Sequence, residues 1–158
     1  MTLTKQYSKL TEVISTQTNN LYGFLRDASP GNPEDPFQIS SVFVTREWAN
    51  PGIPDMSVRL IDGDDEVVHS LEWMWNKDSS LAWHVHDVEE TIECVSGAYL
   101  LHYKDKTIRM GKGSIVSIPA GVVHAGYVIE DTHVITRYTP PLCLKRAHEF
   151  AEAGKVAS

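Results

Sequence analysis

Short runs rich in Val, Ile, Thr, Tyr and Trp, separated by Gly, Pro, Asp and Ser, dominate the chain from about Gln38 onward. Runs of this kind predict β-strands bounded by turns. The predicted strands are Ser40–Trp48, Met56–Ile61, Glu66–Trp75, Leu81–His86, Thr91–Val95, Ala98–Tyr103, Thr107–Met110, Ser114–Ile118, Val122–Ile129 and His133–Tyr138. Between them lie Asp62-Gly63-Asp64-Asp65, Asn76 to Ser80, Ser96-Gly97, Lys104-Asp105-Lys106 and Gly111-Lys112-Gly113, all residue types that favour turns. Many brief strands at turn-limited spacing predict an all-β antiparallel sandwich or barrel rather than an alternating α/β fold. The Pro140-Pro141 pair is expected to end it, since proline cannot donate to a ladder.

The two ends read differently. Leu3, Tyr7, Leu10, Val13 and Ile14 fall near helical spacing and predict a short helix within residues 3–18. The turn formers from Asp27 to Pro36 predict an irregular arm, and Leu144–Ala153 predicts a terminal helix stopped by Gly154. The expected organisation is therefore an N-terminal helix and arm over 1–37, a barrel over 38–141, and a C-terminal helix and tail over 142–158.

Composition narrows the function classes. A chain of 158 residues can bury one core, and 42% hydrophobic with 22% charged residues is ordinary for a soluble domain. The net charge of −7 argues against a general nucleic-acid binder, which needs Lys and Arg to displace counterions. No apolar run approaches the length of a membrane span, and the N-terminus lacks a signal-peptide pattern. Cys94 and Cys143 lack a CxxC spacing and are expected to be free thiols. A cytoplasmic protein that binds neither nucleic acid nor membrane is the expectation.

Candidate chemistry concentrates in four residues. His84 and His86, at i and i+2, project from one face of a strand. Glu90 opens the next strand after a turn through Asp87, and His124 follows Pro119-Ala120-Gly121 much later. If these converge, three imidazoles and a carboxylate suit one divalent transition metal. Four protein donors on a six-coordinate ion leave two positions for substrate. Glu89 and Glu93 are competing carboxylates, but Glu93 is at odd offset from Glu90 and turns to the opposite face of a regular strand.

These residues resemble the motifs of the cupin family. The first motif matches His84, His86, Glu90 and Gly97, and the second matches Gly113, Pro119, Gly121 and His124 at every interval. Two positions depart: Asp78 stands where the family often has Gly, and Val128 where it has Asn. The resemblance covers about residues 66–139. It implies a double-stranded β-helix, the jelly-roll barrel, with His84, His86, Glu90 and His124 as metal ligands. It also implies one divalent ion, with Fe2+ favoured and Mn2+, Ni2+, Zn2+ or Co2+ as alternatives.

Around that site, Ile92 and Cys94 share the face of Glu90, and Gly126 and Val128 share the face of His124. Arg137 is a candidate carboxylate clamp if its side chain points inward, and an ordinary surface charge if it points outward. Tyr99, Tyr103 and Tyr138 can supply a hydroxyl or simply pack, whereas Tyr127 turns away from the His124 face. Cys94 is a soft ligand or a core residue, and Trp73 and Trp75 form core, a dimer face or a stacking platform. His69, His102, His133 and His148 lack ligand spacing.

The expectation is a metal-dependent enzyme acting on a small organic substrate, foremost an Fe(II)-type oxygenase. A metal-dependent lyase, isomerase or decarboxylase and a non-catalytic small-molecule-binding cupin are the alternatives. The lyases of dimethylsulfoniopropionate within this family often carry Tyr two residues after the motif Glu, where this chain has Ile92. A homodimer is the expected assembly.

Overall fold

The computed structural model describes residues 45–51, 53–103 and 105–146. The predicted N-terminal helix and arm lie outside these residues, as does most of the terminal helix, of which residues 144–146 form the first helical turn. Nine strands follow in order: β1 (Met56–Gly63), β2 (Val67–Trp75), β3 (Ser80–His84), β4 (Glu89–Ser96), β5 (Ala98–Tyr103), β6 (Lys106–Gly111), β7 (Ile115–Ile118), β8 (His124–Val128) and β9 (Thr132–Cys143). They form a five-stranded sheet, β1-β2-β9-β4-β7, and a four-stranded sheet, β3-β8-β5-β6. The strand pairs are antiparallel, and the two sheets make the all-β antiparallel barrel that the strand rhythm predicts and the jelly roll that the resemblance implies.

Alternation along the strands builds the core. Glu90, Ile92 and Cys94 of β4 are buried while Glu89, Thr91 and Glu93 are not. Thr132, Val134, Thr136 and Tyr138 of β9 repeat the pattern. Val58, Leu71, Trp73, Trp75, Ile92 and Val134 from the larger sheet meet Tyr99, Leu101, Met110 and Val128 from the smaller one. Each large apolar side chain taken fully out of water contributes about 1.5–3 kcal/mol, so this layer dominates the stability.

Three expectations are corrected. Of the run Ser40–Trp48, residues 45–48 are not strand; beside them Ala49 forms an isolated bridge with Val58, and the Leu60 amide donates to the Thr45 carbonyl at 2.6 Å. Two prolines near its flank, Pro51 and Pro54, limit how far an edge ladder can extend. The pair Pro140-Pro141 does not end the barrel, because β9 continues to Cys143. It lies opposite a register shift between Val68 and Ser70 of β2, where the ladder needs no proline donor. His86 falls just beyond the end of β3 rather than within it.

The departure at position 78 has a structural account. Asp78 has φ of +68°, which Asp tolerates better than most side chains. The Tyr127 hydroxyl donates to its carboxylate at 2.6 Å, and its amide donates to the Val128 carbonyl at 2.9 Å. Asp thus holds, with an added hydrogen bond, a turn for which Gly is otherwise suited.

Candidate metal centre

Register brings the four candidate residues together. β3 pairs with β8 so that His84 lies directly opposite His124. The Gly121 amide donates to the His86 carbonyl at 2.9 Å, which ties the turn before His124 to the segment carrying His86. Glu90 enters from β4 in the facing sheet. All four are buried, and one donor atom from each lies within 4.8 Å of the others. The His84 and His124 ring centroids are 4.0 Å apart, with His86 at 5.2 and 5.5 Å from them.

The protonation pattern aims lone pairs at a common point. His84 Nδ1 donates to the Ala82 carbonyl at 2.6 Å, and His124 Nδ1 donates to the Val122 carbonyl at 2.9 Å. A carbonyl can only accept, so Nδ1 of each ring carries a proton, and in the neutral form Nε2 is left as the acceptor. Burial, with the neighbouring His124 and His86, holds His84 well below the usual imidazole range and therefore neutral. Backbone carbonyls that fix the ring and its tautomer are the usual support for metal-ligating histidines.

Those lone pairs suit a cation. His124 Nε2 is 3.1 Å and His86 Nε2 3.4 Å from Glu90 Oε2. Two acceptors so close are unfavourable unless a proton or a metal ion lies between them. Adjacent donors at about 2.1 Å from a six-coordinate ion stand roughly 3 Å apart, so the observed spacing fits a shared ion. Burial alone would raise the Glu90 carboxyl; positive charge on the facing His86 and His124 holds it well below the usual carboxylate range, and a bound cation would supply that charge with the rings neutral. The residues present therefore fit one divalent cation with three nitrogen donors and one oxygen donor.

A hydrogen-bonded row behind Glu90 was not legible in the sequence. Tyr138 of β9 pairs directly with Glu90 of β4, and its hydroxyl donates to Glu90 Oε1 at 3.3 Å. Thr136 Oγ1 lies 3.5 Å from that hydroxyl and accepts from Trp73 Nε1 at 3.2 Å. Oε1 is thus occupied from behind while Oε2 faces the histidines. Burial, reinforced by Glu90, keeps the Tyr138 phenol protonated well above its ordinary range. Tyr138→Phe is expected to weaken metal affinity by roughly 10- to 100-fold, the usual effect of losing such an outer partner. Competition against a fluorescent chelator checks it, with unchanged affinity counting against the role.

The other candidates sort by face. Arg137 takes the outward of its two orientations: it is exposed, and Nη1 donates to Glu93 at 2.9 Å. Residue alternation puts it on the sheet side opposite Tyr138, so it does not line the cavity. Glu93 accordingly lies outside the cluster, and Glu89 is exposed. Cys94 is buried, with its thiol toward the Ser96 and Gly97 carbonyls, and burial raises its pKa. Cys94 is a core residue here, and both Cys94 and Cys143 are free. Val128 is buried in the core beside the cavity rather than in its wall.

The cluster opens into a cavity of about 420 Å³, its mouth included, walled by Trp73, Trp75, Leu81, Ile92, Tyr99 and Leu101. Gly126 and Thr136 complete the lining near His124 and Tyr138. Arg146 donates to Asp87 at 2.8 Å and so pins the turn between His86 and Glu90.

A jelly roll with three buried histidines and a glutamate lining an internal cavity is a small barrel whose donor set could hold one metal ion. The family model described as a cupin domain matches residues 71–136. Those residues therefore carry a cupin domain, within a fold shared with solved cupin structures. Its fold is similar to KdgF from Halomonas sp., with TM-score 0.53 and 16% identity over 58% of this chain and 85% of that one. An RmlC-like cupin from Shewanella frigidimarina gives TM-score 0.54 and 14% identity, covering 59% and 82%. A structure from a study of dimethylsulfoniopropionate lyases gives TM-score 0.50 and 18% identity, covering 58% and 55%. No curated protein matches the sequence. Among the described residues, no helix is long and apolar enough to cross a membrane.

Proposed function

We propose that this chain is a mononuclear metal-dependent enzyme acting on a small organic molecule, with Fe(II)-dependent oxygenation as its chemistry. The observation that carries the reading is the buried set His84, His86, Glu90 and His124 facing a mostly apolar cavity. A divalent ion held there would supply Lewis-acid catalysis and, as Fe2+, redox chemistry. The protein's own contribution is positional. Backbone carbonyls orient His84 and His124, Tyr138 fixes the Glu90 carboxylate, and aromatic and aliphatic side chains give the cavity an apolar wall.

A lyase, isomerase or decarboxylase using a non-redox ion is the second reading. It is favoured by the Tyr138 hydroxyl, a proton-bearing group beside the cluster that can give up or take a hydrogen bond as substrate charge changes. Position 92, where the dimethylsulfoniopropionate lyases often carry Tyr, is here a buried cavity-wall isoleucine.

Anaerobic loading with Fe2+, Mn2+, Co2+, Ni2+ or Zn2+, followed by a panel of small organic acids, separates the readings. Oxygenation predicts oxygen uptake matched to product with Fe2+ alone. Product formed without oxygen indicates the second reading. Binding without product under any metal would overturn both in favour of a binding protein.

A further inference from the structure

Away from the His/Glu cluster the cavity wall holds two donors with nothing to donate to. Trp75 Nε1 and Tyr99 Oη are buried, in residues 3% and 1% exposed, and neither atom has a hydrogen-bond partner among the described residues. The two rings meet edge-on with centroids 5.1 Å apart. Buried polar groups are nearly always paired, because an unpaired one loses its hydration without return. The contrast with Trp73, two residues earlier on the same strand, is direct: its indole N–H reaches Thr136 Oγ1 at 3.2 Å.

Both orphans are donors. The indole N–H has no acceptor capacity. The Tyr99 hydroxyl keeps its proton, since burial, Cys94 and Glu90 all push its pKa upward. Register places them at the far end of the cavity from the cluster. Tyr99 pairs with Val128, four residues along β8 from His124, and Trp75 pairs with Thr132, six residues along β9 from Tyr138. Those offsets correspond to about 13 and 20 Å between backbone levels, but the Tyr99 side chain shortens its separation enough for the Glu90 charge to act on its hydroxyl. Among the described residues, no Lys or Arg lines the cavity. A second carboxylate at that end would be buried without a counter-charge, so the matching group is an uncharged acceptor oxygen.

We infer that Trp75 and Tyr99 form a subsite for a neutral acceptor oxygen, and that the substrate has an apolar body with a carbonyl at one end and a metal-binding group at the other. The inference rests on the proposed function for the end that meets the cluster. Leu81, Ile92 and Leu101 pack the body, and the two donors read its far oxygen.

Matched acids test this. 4-Oxopentanoate, 5-oxohexanoate and 6-oxoheptanoate differ from pentanoate, hexanoate and heptanoate by one ketone oxygen. A cavity without free donors favours the saturated acid, because the ketone must shed water. A donor subsite reverses that order. Calorimetric titration of the full chain loaded with Zn2+, and of metal-free chain in parallel, reads the ratio. The keto acid should bind at least about tenfold tighter at one chain length or more, a preference of the size a single satisfied donor pair produces. Tyr99→Phe keeps the ring and removes the hydroxyl, and Trp75→Phe removes the other donor. Either should bring the ratio toward one while leaving zinc content at the wild-type level.

Equal or tighter binding of the saturated acids at every length would overturn the inference. So would no binding of any of the six acids, or a ketone preference that survives both substitutions. Absence of bound zinc in wild-type chain would remove the proposed function instead, while the ketone preference would still be readable on the metal-free protein.

Discussion

His124→Ala should reduce the bound metal from near stoichiometric to below about a tenth of an ion per chain, a larger loss than the roughly 10- to 100-fold effect of removing an outer hydrogen bond. His124 is central to the cluster. It stands opposite His84 across β3 and β8, its ring is 4.0 Å from His84, and its Nε2 is 3.1 Å from Glu90 Oε2. Without it, the donors that remain are two histidines from one short segment and a carboxylate on the other sheet. Arg137→Ala is the matched control. That side chain sits on the outer surface against Glu93, an exposed pair contributing about 0–1 kcal/mol, so metal content should be unchanged. Elemental analysis of the two variants, with circular dichroism to verify folding, reads both. Full metal content in folded His124→Ala would place the ion elsewhere.

Gly97→Ala should destabilise the barrel by roughly 3–5 kcal/mol, among the largest effects expected of one methyl group. Gly97 turns the chain between β4 and β5 at φ +87°. An added Cβ would lie 2.2 Å from the Asp131 carbonyl oxygen and 2.6 Å from Thr132 Oγ1. Neither can yield easily. Thr132 Oγ1 accepts from the Ala98 amide at 3.1 Å and donates to the Glu130 carbonyl at 2.6 Å, fastening the hairpin to the start of β9. Backbone strain accounts for about 1–3 kcal/mol and displacement of this fastening for the rest. At about 2–4 °C per kcal/mol for a chain of this size, the melting temperature should fall by roughly 10 °C. Gly113 is the internal comparison, with a similar φ of +84° but nothing within 4 Å of an added Cβ. Gly113→Ala should show the backbone part alone, about 1–3 kcal/mol. Equal melting shifts in the two variants would show that the contact at Gly97 contributes nothing.

What the sequence discloses depends on whether the information is local. The strands are legible because Val, Ile, Tyr and Trp alternate between turn residues, and β4 shows this in Glu90, Ile92 and Cys94 facing the interior. His84 and His86 are legible for the same reason, as an i, i+2 pair. His124 is not local to them, and only the spacing of Gly113, Pro119 and Gly121 before it points to the cluster.

The phase of β9 is another matter. Val134 and Ile135 are both apolar, so alternation alone cannot decide whether Arg137 or Tyr138 faces inward. The pairing Glu90↔Tyr138 decides it, and that pairing joins residues 48 positions apart. The row Trp73, Thr136, Tyr138 and Glu90 therefore appears only in three dimensions. The orphan donors of Trp75 and Tyr99 are hidden likewise, because burial can be read from a sequence but the absence of a partner cannot. The continuation of β9 through Pro140-Pro141 depends on a register shift in β2 that no residue of β9 announces.

X-ray absorption at the metal edge of purified full-length protein tests the central claim most directly. The account predicts one ion per chain with three imidazole nitrogens and one carboxylate oxygen among its neighbours at about 2.0–2.2 Å. A coordination shell without the imidazole scattering pattern, or no ion retained at all, would contradict it.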